Sequence, residues 1–122
     1  MFAELAILRS LQKEGFEGVW VDTFSNRFRR SLSEDCSLPL HAREFLDSII
    51  RANDGKRRGC WDVFAWKEGQ YLFVESKQKS PAYKDRTQST QLKWLEAALV
   101  AGVAISSFRI CEWDIEADET SN

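Results

Sequence analysis

Histidine and cysteine are scarce in this chain of 122 residues. His41 is the single histidine, and the three cysteines are Cys36, Cys60 and Cys111. One histidine excludes a histidine-based zinc site and a nuclease that works through two histidines. The cysteines are widely spaced, odd in number and without a Cys-x-x-Cys pair, so they indicate neither a disulfide framework nor a thiolate zinc site. We expect reduced thiols that serve as small core residues.

Several sequence features that would define other classes are also missing. No run of about 18 apolar residues occurs, so no membrane span is expected. The N-terminus has no basic region followed by an apolar stretch and a cleavage site, which predicts a cytoplasmic protein rather than a secreted one. There is no Gly-rich phosphate loop and no nucleophile elbow, so neither P-loop chemistry nor a Ser-His-Asp arrangement is supported.

Charge is distributed unevenly along the chain, although the net charge is only −2. Residues 51–93 carry ten basic and five acidic side chains, whereas residues 112–122 carry five acidic and no basic ones. A local basic zone is typical of a protein that binds a polyanion, and the alternative is a solvated surface. The acidic segment predicts a frayed tail at 114–122, beyond a single domain at 1–113.

Hydrophobic periodicity predicts alternating helices and strands. The predicted helices span 2–14, 40–53 and 87–101, and the predicted strands span 19–24, 61–66, 71–74 and 103–110. In the third helix, Leu92, Leu95 and Leu99 are the predicted apolar stripe. The tryptophans Trp61, Trp66 and Trp94 are predicted core residues. This order of elements predicts an α/β domain with a mixed central sheet.

The two strands in the middle of the chain predict a hairpin that carries polar groups. If Glu68-Gly69 is its two-residue loop, Lys67 faces Gln70 and each pair of facing positions sums to 137. Asp62 then lies opposite Glu75. Because side chains alternate along a strand, the positions 75 and 77 project to the face that Asp62 occupies.

Two facing carboxylates repel each other across about 5 Å, and in an apolar sheet this costs stability unless a cation lies between them. Lys77 is one candidate for that cation. A hard divalent ion such as Mg²⁺ is the other, because it binds one or two carboxylates together with substrate phosphate. The residues Asp62, Glu75 and Lys77 therefore allow two interpretations, a buried salt-bridge cluster or a metal-dependent phosphodiester hydrolase.

The pattern resembles that of a known nuclease superfamily. Its elements are Gly59-x-x-Asp62, Glu75-x-Lys77, Asp85-Arg86-Thr87 and Gln91-x-x-Trp94-Leu95. Together they resemble the PD-(D/E)xK nucleases, and within them the VRR-NUC (virus-type replication-repair nuclease) domain. Two departures are visible: Trp61 stands where the family has proline, and the loop after Lys77 is longer. The resemblance implies a restriction-endonuclease-like core with helices flanking a mixed sheet.

The resemblance also implies roles for particular residues. Asp62 and Glu75 would hold Mg²⁺ or Mn²⁺ with the main-chain carbonyl of Ser76. Lys77 would orient or deprotonate the attacking water, and Gln91 would contact water or phosphate. Family members add a glutamate from the first helix, for which Glu4 is the better positional match and Glu14 the rival.

The implied activity is hydrolysis of DNA phosphodiester bonds, with selectivity for branched, flap or junction DNA in replication, repair or recombination. Stand-alone members of the family suggest a homodimer. The alternative is a catalytically inactive nucleic-acid-binding module of the same fold. The basic residues expected to contact DNA phosphates are Arg57, Arg58, Lys79, Lys84 and Arg86.

Overall fold

The computed structural model describes residues 2–22, 27–29, 37–78 and 89–113. The elements in chain order are α1 (Phe2–Lys13), β1 (Glu17–Asp22), β2 (Arg27–Arg29), α2 (Leu40–Ala52), β3 (Val63–Lys67), β4 (Gln70–Gln78), α3 (Ser89–Val100), a 3₁₀ turn (Ile105–Ser107) and β5 (Phe108–Trp113). The predicted acidic tail at 114–122 lies outside the described residues, as does Cys36. Cys60 is buried and Cys111 partly buried, and both are free thiols, as predicted.

The sheet has five strands in the order β2-β1-β3-β4-β5. β1 pairs antiparallel with both β2 and β3, and β3 pairs antiparallel with β4. β5 pairs parallel with β4. A parallel neighbour needs a long crossover connection, and here α3 lies between β4 and β5 in the chain. The predicted α/β class with a mixed sheet is therefore confirmed.

The hairpin of β3 and β4 has the predicted register. Lys67 faces Gln70, and the pairing continues to Val63 opposite Val74. Glu68 and Gly69 have φ of 47° and 80°, the left-handed conformation of both central residues in a type I′ turn. The twist of this turn matches that of the strands, which explains why two residues are enough to close the hairpin.

Helices cover both faces of the sheet. On one face α1 contributes Leu8 and Leu11 to a cluster with the side chains that β3 and β4 project towards it. On the other face α2 and α3 enclose a larger aromatic cluster that includes Phe64 and Phe73, whose rings stack at 4.9 Å. No helix within the described ranges is long and apolar enough to cross a membrane.

The predicted apolar stripe of α3 is wrong for Leu92 and Leu99, whereas Leu95 packs partly buried against the core. Leu92 and Leu99 are 46% and 43% exposed, and the residues of α3 that are buried are Trp94, Ala97 and Ala98. Only one side of a helix can face the sheet, and the side with Trp94 brings a large ring against Phe73. The two alanines on that side leave room for α2 and the sheet to approach closely.

The outer strands also differ from the predictions. The strand predicted at 103–110 begins only at Phe108 and runs to Trp113, because Ile105–Ser107 forms a 3₁₀ turn. β1 (Glu17–Asp22) begins earlier than predicted, and the predicted strand residues 23–24 lie outside the described residues. β2 was not predicted at all, since a three-residue strand with arginines on both sides of Phe28 has little sequence signal.

Candidate active site

Two carboxylates meet where β3 begins. Asp62 lies just before β3 rather than within it, and its backbone N–H donates to Glu75 Oε1 at 3.2 Å. In return the backbone N–H of Ser76 donates to Asp62 Oδ2 at 2.9 Å. These reciprocal bonds place the Asp62 side chain at the end of β3, beside β4. The two acids therefore lie together, as the hairpin register predicted.

A lysine and a glutamine surround the second carboxylate. Lys77 Nζ lies 3.4 Å from Glu75 Oε2, and Gln91 Nε2 donates to the same oxygen. Lys77 also donates to Gln91 Oε1 at 3.3 Å. Glu75 and Lys77 are both buried. Four of the residues predicted from sequence thus form one connected cluster, which consists of Asp62, Glu75, Lys77 and Gln91.

The first turn of α3 is held against the segment that precedes Asp62. The indole N–H of Trp61 donates to the backbone carbonyl of Gln91 at 3.3 Å. Gly59 has φ of +91°, and a Cβ at this position would come within 2.0 Å of the Thr90 carbonyl oxygen. The glycine permits the close approach, and Trp61, which departs from the family pattern, supplies a bond to α3 that proline could not make.

Asp62 and Glu75 lie close together in a partly buried site, and this changes the pKa of Asp62. The pKa of Asp62 is raised from its usual 3.8 to about 7, first because burial disfavours the charged form and second because the negative charge of Glu75 lies beside it. The hydrogen bond from the Ser76 N–H opposes this rise only in part. In the folded protein Asp62 therefore retains its proton up to near-neutral pH.

We expect Asp62→Asn to stabilise the metal-free protein, with an effect that grows with pH. The unfolded aspartate ionises near 3.8 and the folded one near 7, so the wild-type protein loses stability as the pH rises between these values. Asparagine keeps an oxygen for the Ser76 N–H and carries no charge. At pH 8 we expect the free energy of unfolding of Asp62→Asn to exceed that of wild type by about 2 kcal/mol, after discounting for partial exposure.

Urea denaturation at pH 4.5 and pH 8, with a chelator present, measures this difference. Asp47→Asn on α2 is the matched control for the loss of one negative charge outside the pair. A gap between wild type and Asp62→Asn that is the same at both pH values would contradict the expectation.

The structure separates Glu4, in the first turn of α1, from Glu14, which lies just beyond the last residue of that helix. Glu4 is close enough to Asp62 for its charge to raise the pKa of that carboxyl. Glu14 lies at the opposite end of the sheet, where its backbone carbonyl accepts a 2.6 Å hydrogen bond from Lys67 Nζ near the hairpin turn. Of the two rivals, Glu4 is therefore the one near the carboxylate pair.

A groove of about 830 Å³ opens beside Asp62. One wall is the basic loop, defined here as Lys56-Arg57-Arg58 between α2 and β3, and the opposite wall includes Thr90 and Gln91 at the start of α3. This volume is typical of a ligand-binding cleft. Arg57 and Arg58, which were predicted from the sequence, line the groove, and so does Lys56, which was not singled out.

The donor set suits a hard cation, although it is small. Carboxylate oxygens of Asp62 and Glu75 converge, and a strand residue points its N–H and C=O to the same side, so the Ser76 carbonyl faces the side of Asp62 as well. In the described part of the chain, no group of three or more His, Cys, Asp or Glu side chains is arranged to hold a metal ion. The fit thus depends on two carboxylates and one carbonyl, as Mg²⁺ sites often do.

The remaining predicted DNA contacts, Lys79, Lys84 and Arg86, lie outside the described residues. Sequence reasoning missed Lys56, which lines the groove, and also Phe28 and Asn53, which contact residues of the basic loop. The only sequence signal for Lys56 was its place in a basic run. No family model, curated protein or solved structure matches the chain, so its function has to be inferred from the chemistry around Asp62 and Glu75.

Proposed function

We propose that the protein is a divalent-metal-dependent nuclease that hydrolyses DNA phosphodiester bonds. The observation that carries this proposal is the contact of two carboxylates, Asp62 and Glu75, beside a buried lysine at the edge of a basic groove. Repulsion within the pair is relieved when a cation binds, and the basic wall attracts a polyanion. A salt-bridge cluster alone would not account for the adjoining groove.

Asp62, Glu75 and the Ser76 carbonyl would hold Mg²⁺ or Mn²⁺. When bound, such an ion lowers the pKa of a coordinated water and neutralises charge on the scissile phosphate. Lys77, held 3.4 Å from Glu75, would orient the attacking water or offset negative charge that develops on the phosphate. Gln91 hydrogen-bonds both Lys77 and Glu75, so it would keep the lysine and the carboxylate in register.

The order of elements supports a restriction-endonuclease-like core for this site. The hairpin strands β3 and β4 carry the acids, α3 follows, and β5 returns parallel to β4. The VRR-NUC resemblance, which adds a homodimer and selectivity for branched DNA, belongs to the same proposal. The free thiols Cys60 and Cys111 favour a reducing, cytoplasmic location.

A second candidate function is a catalytically inactive nucleic-acid-binding module. The bonds around Glu75 favour it, because Lys77 and Gln91 both satisfy its Oε2 without a metal ion. Such a module would bind DNA with strong salt dependence and would not cut it. Cleavage therefore distinguishes the two candidates.

The proposal is tested with purified protein on labelled linear, flap and junction DNA. Mg²⁺ and Mn²⁺ are expected to support cleavage, and a chelator to abolish it. Glu75→Gln is expected to lower the rate by about 10²–10³-fold or more, because it removes one of two carboxylate ligands. Wild-type protein that binds DNA but leaves every substrate intact with both metals would favour the inactive module.

Glu4 and Glu14 offer a matched pair, one in the first turn of α1 and the other just beyond its end. Glu4→Gln is expected to raise the Mn²⁺ concentration that gives half-maximal cleavage by about tenfold, since the charge of Glu4 acts on Asp62. Glu14→Gln, at the far end of the sheet, is expected to behave as wild type. Equal effects of the two substitutions would remove Glu4 from the site.

A further inference from the structure

The basic loop borders the groove beside the carboxylate pair. The charged residues of the described chain that line this groove are Lys56, Arg57, Arg58 and Asp62. Three cations against one acid make the groove wall positive beside Asp62. A surface of this kind binds phosphate oxygens without reading the bases.

The side chain of Arg57 is held from behind by an aromatic ring. Its Cζ lies 4.6 Å from the ring centroid of Phe28, which is the central residue of β2. Phe28 is partly buried against the core and does not line the groove. A cation–π contact of this kind restricts the guanidinium, and Arg57 itself lines the groove.

The backbone of the loop is braced as well. Asn53 Nδ2 donates to the carbonyl of Lys56 at 2.8 Å and to that of Arg58 at 3.2 Å. The backbone N–H of Cys60 donates to the carbonyl of Arg57 at 3.1 Å. Each residue of the basic loop therefore has its carbonyl bonded, and a loop ordered before the ligand arrives loses less entropy on binding.

We propose that the basic loop is a preorganised clamp for a backbone phosphate next to the scissile one. In this clamp Phe28 is a positioning residue that acts on the substrate through Arg57. The inference rests on the proposed nuclease function and adds a role for β2, the strand whose sequence carried least signal. In this proposal the role of β2 is to place the Phe28 ring against the Arg57 guanidinium.

The test compares steady-state cleavage by Phe28→Leu, Arg57→Gln and the double variant. Phe28→Leu keeps an apolar side chain but removes the ring, and we expect KM to rise about two- to fivefold with kcat unchanged. Arg57→Gln is expected to raise KM about tenfold and to reduce the salt slope of duplex binding by about 0.9. In the double variant, the loss of Phe28 should add nothing further.

Phe16 provides the matched control. Its ring contacts Lys67 Nζ at 5.5 Å, the same kind of cation–π pair, but near the hairpin turn. Phe16→Leu is expected to leave KM unchanged. Phe28→Tyr, which retains a ring, should restore the wild-type KM, and melting temperatures of all variants show whether Phe28→Leu merely loosens the fold.

The clamp is overturned if Phe28→Leu leaves KM unchanged while Arg57→Gln raises it, or if the two effects simply add. This outcome leaves the nuclease function intact. Conversely, if wild-type protein never cuts DNA, metal-free binding measured by fluorescence anisotropy still reports the clamp, with the same order of affinities expected. Failure of the clamp and failure of the nuclease function therefore give different results.

Discussion

Lys77→Met is expected to lower the rate of metal-dependent cleavage by about 10²–10⁴-fold, the usual contribution of a positioned proton-transfer or charge-stabilising group. Methionine preserves much of the buried aliphatic stem and removes the ammonium group 3.4 Å from Glu75. The loss should therefore come from the missing charge rather than from a cavity. Single-turnover cleavage at saturating Mn²⁺ measures it directly.

The same substitution should make the fold depend on the metal ion. Without Lys77, the buried Glu75 faces Asp62 with the Asp62 N–H and Gln91 as neutral donors, and breaking a buried ion pair costs about 3 kcal/mol or more. A bound cation would replace the lost charge. We therefore expect a lower metal-free melting temperature for Lys77→Met, and a larger rise on addition of Mn²⁺ than in wild type.

Lys67→Met is the matched control for this experiment. Lys67 sits at the other end of the hairpin, where its ammonium group bonds the Glu14 carbonyl and lies over Phe16. Its removal should change the stability modestly and leave the cleavage rate and the metal response as in wild type. Cleavage by Lys77→Met at the wild-type rate would assign the lysine a purely structural role.

Gly59→Ala is expected to destabilise the protein by about 3–5 kcal/mol, which is a large part of the stability of a domain this size. The added Cβ would lie 2.0 Å from the carbonyl oxygen of Thr90, and this oxygen belongs to the helix backbone and cannot rotate away. A φ of +91° adds the usual cost of a left-handed conformation for a residue with a side chain. If the start of α3 moves instead, Gln91 leaves Glu75.

Gly55→Ala separates the two contributions. Gly55 also has a positive φ, of 74°, but a Cβ there would meet nothing within 4 Å. Urea denaturation should therefore show that Gly55→Ala lowers the free energy of unfolding by about 1–2 kcal/mol. The additional loss in Gly59→Ala is the cost of the contact with α3. Equal losses in the two variants would mean that α3 adjusts without resistance.

The hairpin and its polar face could be predicted from the sequence because both follow from local rules. A two-residue loop with Gly69 sets the register, and alternation then sets which side chains share a face. The same rules bring Glu75 and Lys77 to the face of Asp62. The prediction failed where a choice between alternative faces was needed, as for Leu92 and Leu99 on α3.

The tertiary structure decided the rest. Both faces of α3 are apolar enough to be buried. The face that packs on the sheet is the one that fits the aromatic surface around Phe73, and a local stretch of sequence does not reveal this fit. The choice of Glu4 over Glu14 depends on how α1 lies across the sheet. The contact of Phe28 with Arg57 joins residues 29 positions apart through a strand too short to predict.

The sequence by itself determined the α/β class, the hairpin register and the meeting of Asp62 with Glu75, since all three depend on residues close together in the chain. Only the tertiary structure decided which helix face is buried, which of Glu4 and Glu14 approaches the acids and what holds the basic loop. These contacts depend on packing between distant segments, and the complementary surfaces that pack together form only when the chain folds.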